Sequence, residues 1–153
     1  IYFLILMFIG GCAGSTTCGI KIFRVQILFQ FISNQLKKII YPRGIFNIKY
    51  ENNNVNEKFM ASIISFIFLY ILIFFIITAL LSLDGLSFTT AISAAATSIS
   101  NVGPGLGDII GPNGNFSQLS DFSKWILSAG MILGRLELFA VLVLFIPSFW
   151  RKY

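Results

Sequence analysis

From Phe59 to Leu83 the chain runs without a charge (FMASIISFIFLYILIFFIITALLSL), longer than the ~20 residues with which a helix crosses a bilayer core. This predicts a membrane span over 59–83. Trp125 to Trp150 (WILSAGMILGRLELFAVLVLFIPSFW) is long enough for a second span over 125–150 and is framed by the indoles that favour the interface, despite Arg135 and Glu137. Between them, Leu86 to Ser100 (LSFTTAISAAATSIS) has the small, weakly apolar composition of a helix, about 22 Å long, too short to cross and return. Asn101-Val102-Gly103-Pro104-Gly105-Leu106-Gly107 follows, and no helix continues through such a run. Span, half-depth helix, glycine-rich return and span make the arrangement of a re-entrant pore loop; a surface loop folded over the spans is the alternative.

The N-terminal pattern is different. Ile1 to Ile9 is apolar, Gly10 to Gly19 (GGCAGSTTCG) lacks a bulky side chain, and Ile20 to Lys38 carries Lys21, Arg24, Gln26, Gln30, Asn34 and Lys38 at the spacing of one helical face. The run at 10–19 reads in two ways. It is either a site of close helix packing or a helix unwound inside the membrane, with Ser15, Thr16 and Thr17 serving freed backbone groups. Tyr41-Pro42-Arg43-Gly44 ends the helix, and Tyr50 to Asn56 is a polar loop, predicted as a short hairpin with Ile45 to Tyr50 as one strand. The expected class is an all-α membrane protein. Residues 1–40 are the end of a broken transmembrane helix, 41–58 a cytoplasmic linker, and 59–150 one span, re-entrant helix and span unit. With Ile1 first and few spans, the chain reads as the C-terminal part of a larger protein or a partial gene product.

Composition narrows the chemistry. Of 153 residues, 56% are hydrophobic and 11% charged, against about 25% charged in soluble domains. The net charge of +5 comes from bases beside and between apolar runs, not from a solvated face, so nucleic acid is not expected as a partner. Lys21, Arg24, Lys37, Lys38, Arg43, Lys49 and Lys58 precede the first span, while Asp84 to Ser123 holds no Lys or Arg. By the positive-inside rule the former segment is cytoplasmic and the latter external, which leaves Arg151, Lys152 and the C-terminus inside. The two cysteines, Cys12 and Cys18, fit neither a redox pair nor a zinc site, and histidine is missing. They read as small apolar packing groups, and no cofactor is expected in this chain. A membrane enzyme of lipid or wall synthesis would need clustered catalytic carboxylates or histidines; here the acids are scattered.

A helix dipping from outside aims its negative C-terminal end and free carbonyls at the membrane middle, where cations are favoured. Glycines let the following chain turn its oxygens toward an ion, and Pro104 removes an amide that would repel it. Arg135 lies about 15 Å along its helix from Trp125, at a depth where a charge costs several kcal/mol without water or a partner. Glu137, two residues on, faces another side, so each needs a partner elsewhere. Gly130 and Gly134 form GxxxG, which admits a close helix neighbour. A secondary ion-coupled transporter with a discontinuous helix at mid-membrane is the alternative reading.

FIGGCAGSTTCGIKIFR, YPRGIFNIK, TSISNVGPGLGDI and KWILSAGMILGRLELFAVLVLFIPSFWR, in that order, resemble the C-terminal portion of the TrkH family, membrane subunits of bacterial Trk potassium uptake systems in the Trk/Ktr/HKT superfamily. The resemblance implies four repeats around one pore. It also implies a homodimer in the inner membrane, a cytoplasmic nucleotide-binding regulatory subunit of TrkA type, and potassium as the transported ion. It makes 59–150 the fourth repeat and Asn101, Val102, Gly103, Pro104 and Gly105 the fourth selectivity-filter stretch, with the carbonyls of Val102 and Gly103 on potassium. Gly10, Gly11, Gly14, Ser15, Thr16 and Gly19 match its gating loop, and Arg135 its pore-facing arginine. The family usually shows GST followed by glycines; Thr17 and Cys18 depart from that pattern. The first three filter stretches are absent from these residues, so the chain is not expected to conduct alone.

Overall fold

The structure, a computed structural model, describes residues 2–11, 18–41, 44, 49–50, 53–107, 109–136, 143 and 147–150. Among them the helices are α1 (Tyr2–Phe8), α2 (Ile22–Ile40), α3 (Glu57–Leu83), α4 (Phe88–Ser100) and α5 (Asp121–Arg135), with a helical turn at Pro147–Trp150. A two-residue hairpin joins α2 to α3, pairing Lys49 with Asn54 and Tyr50 with Asn53. The strand expected from Ile45 is thus described only at Lys49–Tyr50; residues 45–48 fall outside the described set.

α3 is the one described helix long and apolar enough to cross a membrane. It covers the expected span and begins two residues before it. α4 starts two residues later than expected because Ser87 caps it, accepting the Thr90 amide on its hydroxyl. α5 starts four residues before Trp125 for the same reason: Ser120 accepts the Ser123 amide, leaving Trp125 within the helix and exposed. Past Leu136 the expected second span lies mostly outside the described residues.

α3 and α5 run antiparallel, joined at one end by Asp84. Its carboxylate accepts the Ser123 hydroxyl at 2.6 Å and also that of Ser120. Segment 85–119 therefore leaves this end and returns to it, and α4 sits between. Its buried face (Ala91, Ala94, Ala95, Ile99) packs with Tyr70, Ile77 and Leu81 of α3 and Leu127 of α5 in the main core. Glycine lets α5 come close. A Cβ at Gly130 would lie 2.9 Å from Ile77 Cδ1 and Ser98 Oγ, and one at Gly134 would run into the Ile99 carbonyl. The neighbour that GxxxG admits is thus α4. Gly134 on α5, and Tyr70 on α3, which bonds Ser100, both lie about 20 Å by helical rise from the Asp84 end. Thirteen residues of α4 span the same about 20 Å, so the two flanking helices agree on how far α4 descends.

α2 packs on α3 through a second cluster, Ile27, Met60 and Ile63, and Arg24 stacks over the Phe66 ring at 3.8 Å.

Candidate functional site

The end of α4 carries the expected filter stretch. Asn101 caps the helix in the left-handed region (φ 52°), which Asn tolerates better than most side chains. Its side-chain amide nitrogen donates to the Met131 carbonyl of α5 at 3.1 Å. The Val102 amide closes on the Thr97 carbonyl at 3.2 Å, and the Gly103 amide donates to Thr97 Oγ1 at 2.9 Å. Gly103 has φ 110°, and no heavy atom stands within 4 Å of where a Cβ would sit, so glycine is required there by its backbone rather than by space. Gly105 is the reverse case: its φ is ordinary, its amide donates to the Ile110 carbonyl at 2.8 Å, and a Cβ would strike the Ile110 side chain. Downstream, Ser93 Oγ donates to the Leu106 carbonyl at 2.9 Å.

These bonds have one direction. The amides of Val102, Gly103 and Gly105 turn inward to Thr97 and Ile110, and Pro104 has none. Among the described residues no hydrogen bond accepts at the carbonyls of Val102, Gly103 or Pro104, while Asn101 to Pro104 are all exposed. An exposed stretch whose amides are engaged and whose carbonyls meet no donor of the chain's own is suited to a cation.

The second group of candidates lies where α1 stops. Ile9 and Ile20 form a parallel bridge. The Ile20 amide donates to the Phe8 carbonyl at 3.3 Å and the Gly10 amide to the Ile20 carbonyl at 3.0 Å. Ile20 thereby serves the bridge instead of starting a helix, which is why α2 begins at Ile22. The described ends of the 10–19 run are thus clasped to each other, while residues 12–17, on which the choice between close packing and an unwound helix turns, lie outside the described residues. Gly10 is buried, and a Cβ on it would lie 2.9 Å from the Cys18 carbonyl, while Gly19 takes φ 90°; Gly11 accepts the Ile22 amide at 3.3 Å on its carbonyl. Gly14, Ser15 and Thr16 lie outside the described residues, as do Cys12 and Glu137.

Arg135, at the end of α5, reaches this loop: Nη1 donates to Cys18 Sγ at 3.7 Å. Cys18 is buried and unoxidised, and acts as a weak acceptor as well as a packing group. Three side chains escape the sequence reading: Tyr70 lies in no motif, and Thr97 and Ser100, though inside TSISNVGPGLGDI, have no role assigned there. Cys18 reads from the sequence as a packing group and a departure from the family pattern, not as the acceptor for Arg135.

Known proteins resemble this chain along nearly its whole length. The family model described as TrkH, a cation transport protein, matches residues 1–152. The chain belongs to the TrkH family. It is 47% identical over 150 residues to the Trk system potassium uptake protein TrkI of Halomonas elongata, covering 98% of this chain and 30% of that protein. Against the Trk system potassium uptake protein TrkH of Escherichia coli it is 37% identical over 145 residues, 95% of this chain and 29% of that protein. The crystal structure of the potassium transporter TrkH from Vibrio parahaemolyticus matches with a TM-score of 0.86 and 34% sequence identity, covering 97% of this chain and 31% of that one. The chain thus spans about a third of the length of these TrkH-family relatives. Membership of a cation-transport family agrees with α3 as a membrane span.

Proposed function

We propose that this chain is the portion of a Trk-type potassium uptake protein that supplies one quarter of its selectivity filter and part of its gate. On this reading α4 is a pore helix entering from outside, and Asn101 to Gly105 are the filter stretch, with the Val102 and Gly103 carbonyls replacing water around potassium. The observation that carries it is the end of α4, about 20 Å from the Asp84 end, where the carbonyls of the exposed residues Val102, Gly103 and Pro104 accept no hydrogen bond among the described residues. The clasped loop from Gly10 to Gly19, with Arg135 beside it, is the gate below the filter. The exposed flank of residues 101–104 is where the other repeats complete the pore. The protein works as a homodimer in the bacterial inner membrane, C-terminus in the cytoplasm, with a regulatory subunit of TrkA type.

The decisive test is Gly103→Ser in the complete transporter, expressed in cells lacking other potassium uptake. Substitution at φ 110° moves the flanking carbonyls, and discrimination of potassium from sodium is expected to fall. Uptake with wild-type selectivity would remove Gly103 from the filter.

A further inference from the structure

One buried side chain touches both halves of this arrangement. Tyr70, in the middle of α3, is 1% exposed. Its hydroxyl lies 2.8 Å from Ser100 Oγ, on the residue immediately before Asn101. The ring packs edge-to-face with Phe8, centroids 6.1 Å apart, and Phe8 also meets Phe74 at 5.1 Å. Phe8 is the last residue of α1, and its carbonyl accepts the Ile20 amide that clasps the loop.

From these contacts we infer that Tyr70 is a positioning residue that joins the clasped loop to the filter stretch, its hydroxyl fixing the last turn of α4 and its ring bearing on the loop's upstream stem. The inference rests on reading residues 101–105 as a filter. The physical case is that Ser100 has a short side chain whose one described side-chain hydrogen bond runs to Tyr70 on α3, beside the apolar contact of Ile99 with the same helix. A hydroxyl pair with little access to water holds its geometry closely because neither member has an alternative partner. Ser100 sets the position from which Asn101 turns left-handed, so a shift at Ser100 passes directly into the carbonyls that follow. A ring contact also gives the stem a route to the same point: displacement of Phe8 tilts Tyr70 and hence its hydroxyl.

The test uses the complete transporter in proteoliposomes, with potassium and sodium flux measured separately. Tyr70→Phe keeps the ring and removes the hydroxyl, and Ser100→Ala removes its partner. Each is expected to lower the potassium-to-sodium flux ratio by about three- to ten-fold, the size of one lost buried hydrogen bond. The double variant should be no worse than the poorer single one, and Ser100→Thr, which retains a hydroxyl, should recover most of the ratio. If Tyr70→Phe fails to fold, the Ser100→Ala and Ser100→Thr pair decides alone. Wild-type ratios in both single variants, or additive losses in the double, overturn the inference. Gly103→Ser separates the two levels: a changed ratio there with unchanged Tyr70→Phe and Ser100→Ala leaves the filter standing and removes Tyr70 from it. No change in any of the three removes both.

Discussion

The hydroxyl oxygen of Thr97 accepts the Gly103 amide at 2.9 Å, so the last turn of α4 holds the loop that leaves it by a side chain as well as by backbone. A hydrogen bond of this part-buried kind contributes about 0.5–1.5 kcal/mol. Thr97→Val is therefore expected to loosen residues 101–104 and reduce potassium-over-sodium uptake several-fold, while Thr97→Ser keeps the acceptor and stays near wild type. Competitive uptake of the two ions in the complete transporter checks this; equal behaviour of the Val and Ser variants contradicts it.

Gly134 tests the packing beneath. A methyl group there runs directly into the Ile99 carbonyl, whereas one at Gly105 meets first the Ile110 side chain and the Ile110 carbonyl only at 3.2 Å. Overpacking against backbone is expected to cost about 1–3 kcal/mol, so Gly134→Ala should lower the thermal midpoint in detergent more than Gly105→Ala. The reverse order would show that α4 and α5 separate easily.

Arg135 and Cys18 make a paired prediction. Arg135→Ala is expected to raise or deregulate potassium flux by releasing the loop. Cys18→Ala removes the sulfur acceptor and should reproduce part of that effect, with Cys18→Ser closer to wild type. Flux through reconstituted transporter with and without its regulatory subunit reads the result. Wild-type flux and regulation in Arg135→Ala would detach Arg135 from gating.

At the outer end, the hydroxyls of Ser120 and then Ser123 hold the Asp84 carboxyl below its ordinary value of 3.8. A lowered folded-state value means the clamp is fully present above the unfolded value and is lost as the pH falls through the folded one. The thermal midpoint of the wild type should thus drop on acidification below about pH 4, and Asp84→Asn should start lower at neutral pH and show less of that drop. Parallel midpoint-against-pH curves for the two proteins would exclude the clamp.

Much of this was legible in the residues. The uncharged run ending at Leu83 is long enough that its helix needs no tertiary help to be recognised, and Ser87 and Ser120 mark helix starts by ordinary capping chemistry once their neighbours are known to be helical. The glycine run after Ser100 showed that α4 must stop there. What could not be read was which atoms meet across the fold. Nothing in the spacing of Tyr70 and Ser100, or of Cys18 and Arg135, brings them together; the packing of α4 on α3 does so for the first pair, and the end of α5 reaching Cys18 for the second. Nor did the small-residue run at 10–19 reveal its parallel bridge, since pairing Ile9 with Ile20 depends on both ends of an excursion arriving at one place.

That bridge bears on how two helices move. Because Gly10 and Ile20 are fastened to each other, the end of α1 and the start of α2 are tethered at one point, and a tug on either is handed to the other across the clasp. Phe8 and Ile27, which seat these two helices against α3, therefore travel as a coupled pair.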